Sequence, residues 1–147
     1  MTGEKESLAR WISVLHRQFQ IYLNRELKDC DFNSSEYIFL VNLYERDSIS
    51  QEQLSANLFI DKAATARAIS RLERLGYVLR TRDPSDSRAY RVTLTSKGLA
   101  MRDFIKTKLR YWTETISAGL TPEEEEEMLR IIKRMSENAL AETKGNL

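Results

Sequence analysis

The sequence is poor in the residues that punctuate, staple or catalyse: one cysteine, one histidine, two prolines and five glycines in 147 residues. A single thiol, Cys30, excludes an internal disulfide framework, and that usage fits a reducing cytoplasm better than a secreted setting. No run of about 18 apolar residues is available to span a bilayer, and the opening MTGEKESLAR lacks the apolar stretch of a secretory signal, so no membrane partner is expected. One His and one Cys cannot supply the nitrogen and sulfur ligands of a zinc site, so neither a metal nor another cofactor is expected. A phosphate-cradling glycine motif, an HExxH and a G-x-S-x-G elbow are all missing, and His16 stands far in sequence from any activated nucleophile; an enzyme is not expected. With so little Gly and Pro, a composition of 41% hydrophobic and 31% charged residues leans toward helix, in a chain long enough for one domain with its own core.

What is there follows a helical period. Leu8, Trp11, Ile12, Leu15, Phe19, Tyr22, Leu23 and Leu27 recur at steps of three and four, which predicts a long amphipathic first helix. After the polar break DCDFNSS, the almost wholly apolar EYIFLVNLYE predicts a core helix with Ser34 or Ser35 as its N-cap. Ser50 and Gln53 match a capping box for a short helix ending near Leu58, and Asp61 can cap another that Gly76 stops after Leu75. Two short helices about three residues apart read as a helix-turn-helix. Residues 77–82 and 90–94 are rich in β-branched and aromatic side chains and flank the turn-forming DPSDSRA, predicting a two-stranded hairpin with a charged tip. Thr95 opens a second long helix, expected over 96–117, and Thr121, Pro122 and Glu124 carry the start signal of a last one. The five glutamates at 123–127 then sit in its first turn and a half, where the macrodipole favours negative charge.

Charge is distributed unevenly along this pattern. Between Lys62 and Arg102 stand ten basic residues against Glu73, Asp83 and Asp86, a surplus of seven in a chain whose net charge is +1. On a helical wheel Thr65, Ala68, Ile69, Leu72 and Leu75 share one arc of about 120° that would face the core. Ala63, Ala66, Arg67, Ser70 and Arg74 point the other way, flanked by Lys62 and Arg71. Small residues on that face permit close backbone approach, and the arginines can reach base edges or phosphates in a major groove. The hairpin adds Arg80, Arg82, Arg88 and Arg91, with Asp86 placed to hold Arg88, and an arginine at its tip can enter a neighbouring minor groove. The expected partner is double-stranded DNA.

These residues resemble the MarR-type winged helix-turn-helix transcription regulators. The likeness runs through the chain in element order and is most specific in RLERLGYVLRTRDPSDSRAYRVTLTSKG: Asp83 with Pro84, Asp86 with Arg88, then Leu94, Thr95 and Gly98. Phe59 departs from the glycine frequent in the turn, and Ser87 stands where a second wing arginine is common. The resemblance implies a mainly α fold with a small two-stranded β wing: a winged helix-turn-helix core plus long dimerisation helices, in one domain over 1–147. The DNA-binding lobe is expected over 31–95, and the dimerisation region over 4–30 and 96–147. It also implies a homodimer, which accounts for helices at 6–28, 96–117 and 122–142 that carry more apolar surface than a three-helix winged module can cover. Leu8, Trp11, Leu15, Ile132, Met135 and Leu140 are the expected interface residues. Such a dimer reads a pseudo-palindromic operator, as a repressor on this expectation.

Regulators of this kind respond to small aromatic or anionic ligands or to cysteine oxidation. His16, Tyr37 and Trp112 fall on elements that would line a cleft between the dimer helices and the DNA-binding lobe, and Arg17 can pair with a carboxylate; against this, a lone His beside an apolar helix face is an ordinary packing residue. Cys30, between Asp29 and Asp31, lacks the cationic setting of a reactive thiol. The competing reading is a non-catalytic helical protein whose winged lobe binds other proteins. Salt-sensitive duplex binding separates the two.

Overall fold

The apolar segment YIFLVNLYE forms the central helix α2 (Tyr37–Glu45) of a computed structural model that describes residues 7–143. Residues 4–6 and 144–147, expected to open and close the helical region, lie outside the described residues. Around α2 the chain runs α1 (Leu8–Glu26), β1 (Ile49–Ser50), α3 (Gln51–Leu58), α4 (Lys62–Arg74), β2 (Val78–Asp83), β3 (Asp86–Leu94), α5 (Ser96–Ala100), α6 (Arg102–Ile116) and α7 (Pro122–Thr143). Phe39, Leu40 and Leu43 of α2 are fully buried among Leu23, Phe32, Leu54, Ile69, Leu72, Val92 and Ile105, so one core joins α1, the helix-turn-helix, the sheet and α6. Among the described residues no helix is long and apolar enough to cross a membrane.

The caps explain where most elements begin. Asp61 Oδ1 accepts from Ala64 N–H (2.7 Å), and Thr95 Oγ1 from Gly98 N–H (3.1 Å). At α7 the box closes in both directions, Glu124 N–H to Thr121 Oγ1 and Thr121 N–H to Glu124 Oε1, each 3.1 Å. The box expected at α3 is only half made: Gln53 N–H donates to Ser50 Oγ (3.0 Å), while the Gln53 amide turns down the helix to Asn57 (2.6 Å). Neither Ser34 nor Ser35 caps α2. Glu36 occupies the N-cap position without a side-chain cap bond, and Asn33 Oδ1 instead organises the turn by accepting from the Ser35 amide and hydroxyl.

Three further features differ from the sequence expectation. The wing holds a third strand, β1, giving the order β1-β3-β2 with Ile49 opposite Val92; two residues are too few to show a strand period. The hairpin strands reach into DPSDSRA, because Asp83 Oδ1 accepts from both the Ser85 amide and hydroxyl and shrinks the turn to Pro84 and Ser85. The helix expected over 96–117 is interrupted at Met101. There the Gly98 carbonyl accepts from Met101 N–H (3.3 Å) and from the Tyr44 hydroxyl (2.6 Å), a three-residue step with a side chain inserted in the ladder.

Between α3 and α4, Phe59 adopts left-handed backbone (φ 54°, ψ 38°) with its side chain 60% exposed. The Ser55 hydroxyl fixes this turn by donating to the Ile60 carbonyl. A non-glycine residue there costs about 1 kcal/mol, and an exposed ring recovers little of it. Phe59→Gly is therefore expected to raise stability by about 0.5–1 kcal/mol, read as a higher urea midpoint at unchanged slope.

Candidate nucleic-acid interface

Helix α4 buries Thr65, Ile69 and Leu72 and half-buries Ala68 and Leu75, which turns Ala63, Arg67 and Arg74 outward with Ala66 and Ser70 at the edges. Arg67 and Arg74 are exposed and have no carboxylate partner among the described residues. Lys62, in the first turn, lies 3.4 Å from Glu52 with both side chains open to solvent, a pair that contributes little and separates readily. Leu75 and Gly76 end the helix, Gly76 at φ 88°.

Arg71 is turned differently. Its guanidinium binds Glu36, a carboxylate only 4% exposed, and donates to the Asp31 carbonyl (3.0 Å). Among the described residues the second Glu36 oxygen has no hydrogen-bond partner and Arg71 is the one cation paired with that buried carboxylate. Arg71 thus ties α4 to the start of α2. Beside it, Tyr77 donates to Asp31, and Lys97 lies 3.3 Å from Asp31 and donates to the Leu75 carbonyl (2.6 Å). Burial and this acceptor push the Tyr77 phenol well above its ordinary pKa.

The wing arginines divide in the same way. Arg91 donates to the Ser48 carbonyl and lies 3.6 Å from Asp83, whose carboxyl the Ser85 hydroxyl and amide hold below the usual range, with Arg91 reinforcing them. Arg80 lies 3.7 Å from Glu73 of α4. Arg82 donates to the Ser87 carbonyl (2.6 Å) and has no carboxylate partner among the described residues. At the tip Asp86 Oδ1 accepts from Arg88 N–H (3.0 Å), holding the turn, while the Arg88 side chain is 93% exposed with its guanidinium 3.7 Å from the same carboxylate. The surface therefore offers Lys62, Arg67, Arg74, Arg82 and Arg88 outward and commits Arg71, Arg80 and Arg91 inward. Composition could not make that division, because the deciding partners, Glu36 and Ser48, lie 35 and 43 residues away. Sequence reasoning also passed over Tyr90, whose ring both Arg80 and Arg82 cover.

The residues considered for a ligand are not brought together. His16 and Arg17 are exposed, Arg17 donating to Ser13 (3.2 Å); Tyr37 is buried edge-on to Phe19; Trp112 stacks on Phe19 and Tyr22 at 5.4 and 5.1 Å. A cleft of about 550 Å³ lies between α1, α2 and α4, lined by Gln20, Tyr37, Phe39, Ala64, Arg67 and Arg71, and of those four residues only Tyr37 reaches it. Burial, then Asp31 and Asp29, push the half-buried Cys30 thiol up, away from the reactive thiolate. Among the described residues no cluster of His, Cys, Asp and Glu can hold a metal ion.

This arrangement of helix and wing recurs in known proteins. Residues 32–90 match the MarR family. The HTH-type transcriptional regulator BilQ of Clostridioides difficile (strain CD3) is 31% identical over 85% of this chain and 84% of its own. A MarR transcriptional regulator from Methanosarcina mazei Go1 superposes with a TM-score of 0.83 at 39% identity, covering 93% of this chain and 99% of that one. Bordetella bronchiseptica BpsR, whose DNA binding is regulated by 6-hydroxynicotinic acid, shares the fold with a TM-score of 0.80 at 20% identity over 92% of this chain and 97% of its own. With a helix-turn-helix whose outer face carries unpaired arginines, a wing beside it and this degree of likeness over most of its length, the chain belongs to the MarR family of DNA-binding transcriptional regulators.

Proposed function

We propose that the chain acts as a homodimeric repressor on a pseudo-palindromic operator, with the lobe at 31–95 on the DNA and the helices at 4–30 and 96–147 forming the dimer. The observation that carries the DNA contact is the pair Arg67 and Arg74, exposed and unpaired on the outer face of α4, with Arg88 projecting from the wing tip. In this reading Arg67 and Arg74 enter a major groove, Arg88 the adjacent minor groove, and the second copy repeats the contact about 34–36 Å away. Arg71, Arg80 and Arg91 hold the frame. Exposed Leu8, Trp11, Ile12 and Leu15 on α1, with Leu129, Ile131 and Ile132 on α7, favour the dimer, because such a face in water calls for a cover. Met135 and Leu140, half-buried on α7, extend it.

A small aromatic or anionic effector fits the cleft between α2 and α4, where Arg67 supplies an unpaired cation, Arg71 is already paired with Glu36, and Tyr37 and Phe39 form an apolar wall. A ligand held there meets the recognition helix directly and shifts affinity by as much as it prefers one placement of α4 over another.

Duplex titrations test the DNA contact. Arg67→Ala is expected to weaken binding to a selected operator by about 1–3 kcal/mol and relax preference at one base pair, and Arg88→Ala to weaken it with a salt slope shallower by about 0.9 per lost phosphate. Full affinity and unchanged slopes in both variants, with the fold intact by circular dichroism, would remove α4 and the wing tip from the interface.

A further inference from the structure

We infer that Tyr90 is a positioning residue of the wing: its ring holds Arg82 in a fixed stack and, through the Arg82 bond to the Ser87 carbonyl, steadies the tip that carries Arg88. The inference rests on the reading of the wing as a DNA contact. Arg80 and Arg82, two apart on β2, project from one face of the sheet. Tyr90 stands directly opposite Arg82 in the β2–β3 register and diagonal to Arg80, whose own partner is Val92. The two guanidinium carbons lie 4.6 Å (Arg80) and 5.1 Å (Arg82) from the Tyr90 ring centroid.

Two like charges on one ring repel, and each is held by a second anchor. Arg80 is tied to Glu73 of α4, which also accepts from the Arg80 amide (3.0 Å), so that cation is neutralised and fastens the wing to the recognition helix. Arg82 has a neutral anchor instead, the Ser87 carbonyl at 2.6 Å. Its charge stays available while its direction is set. Ser87 precedes Arg88, so the same bond fixes the backbone from which the exposed tip arginine projects. Tyr90 also lines a notch of about 230 Å³ with Lys62 and Arg88, each beside its exposed carboxylate partner, Glu52 and Asp86, placing the ring between the first turn of α4 and the wing tip.

A long arginine that must be ordered on binding loses affinity to that ordering; one already stacked does not. Removing the ring therefore weakens binding while leaving the number of cations, and hence the salt slope, unchanged. The full chain is titrated by fluorescence anisotropy against its best duplex from a random pool, over a salt series. Tyr90→Leu is expected to bind about five- to tenfold more weakly with the wild-type slope, and Tyr90→Phe to stay within about twofold, since the stack needs the ring and not the hydroxyl. Arg82→Lys keeps the charge but loses the planar stack; it should match Tyr90→Leu, and it carries the test if Tyr90→Leu folds poorly. Wild-type affinity in Tyr90→Leu and Arg82→Lys overturns the inference, as does a Tyr90→Phe defect equal to that of Tyr90→Leu, which would make the hydroxyl a DNA contact. No duplex binding by the wild-type chain would count against the operator reading itself.

Discussion

Gly98→Ala is expected to destabilise the chain by about 3 kcal/mol or more, among the larger effects a single methyl group can have. An added Cβ would lie 2.2 Å from the Tyr77 carbonyl oxygen, 3.2 Å from its carbon and 3.1 Å from a Leu94 methyl. Backbone, not a flexible side-chain end, blocks the space. Neither strand of chain can retreat cheaply: the Tyr77 carbonyl accepts from Thr95 N–H (3.1 Å), and Gly98 donates to Thr95 Oγ1 and accepts from the Tyr44 hydroxyl. Burial raises that phenol to about 12, so it remains a donor across the working range. Moving α5 away from β2 would break the cap, the tyrosine bond and the joint between the wing and α6 together. Gly119→Ala is the control, because at φ 88° nothing lies within 4 Å of the new atom. It should cost only the left-handed backbone penalty of about 1 kcal/mol. Urea unfolding of both variants gives the comparison; equal midpoints would show that α5 and Tyr77 are free to part.

The same joint shows what the sequence made legible and what it did not. Thr95 and Gly98 stood in a recognisable wing-end pattern, yet the reason for the glycine is a carbonyl 21 residues earlier, which no local period reveals. Features written in short-range chemistry were readable: the Asp61 cap, the Gly76 stop, the Thr121–Glu124 box and the inward arc of α4. Features that depend on a distant partner were not. Strand β1 exists because Ile49 finds Val92, the break at Met101 coincides with Tyr44 reaching Gly98, and Arg71 turns inward because Glu36 is buried below it. The candidate site was legible as a charged region and became resolvable only when each arginine had its partner assigned. Arg67 and Arg71 are four residues apart in one helix and carry the same charge, yet one is solvent-facing and the other closes an internal ion pair.

Replacing Ile132 by Glu is expected to dissociate the proposed dimer and to abolish tight operator binding. Helix α7 extends over 22 residues without burying one of them against its own chain, and Met128, Leu129, Ile131 and Ile132 stay open on it. Most helical stability in proteins comes from packing an amphipathic face rather than from intrinsic propensity. In the proposed dimer a second copy would supply that face, with the exposed Leu8, Trp11, Ile12 and Leu15 of α1 as its counterpart. In a two-fold pair one substitution appears twice, so Ile132→Glu places two unpaired carboxylates in one apolar seam, each costing several kcal/mol if buried. Sedimentation at micromolar concentration should show dimers for the wild type and monomers or aggregates for Ile132→Glu, with weaker helical circular dichroism as α7 frays. Linked half-sites gain about 10²–10⁴ in avidity over single ones, so operator affinity should fall by at least about a hundredfold even though α4 and the wing are untouched. A wild-type chain that sediments as a folded monomer, or an Ile132→Glu chain that remains dimeric with full affinity, would separate the apolar face of α7 from DNA recognition and leave that helix in need of another cover.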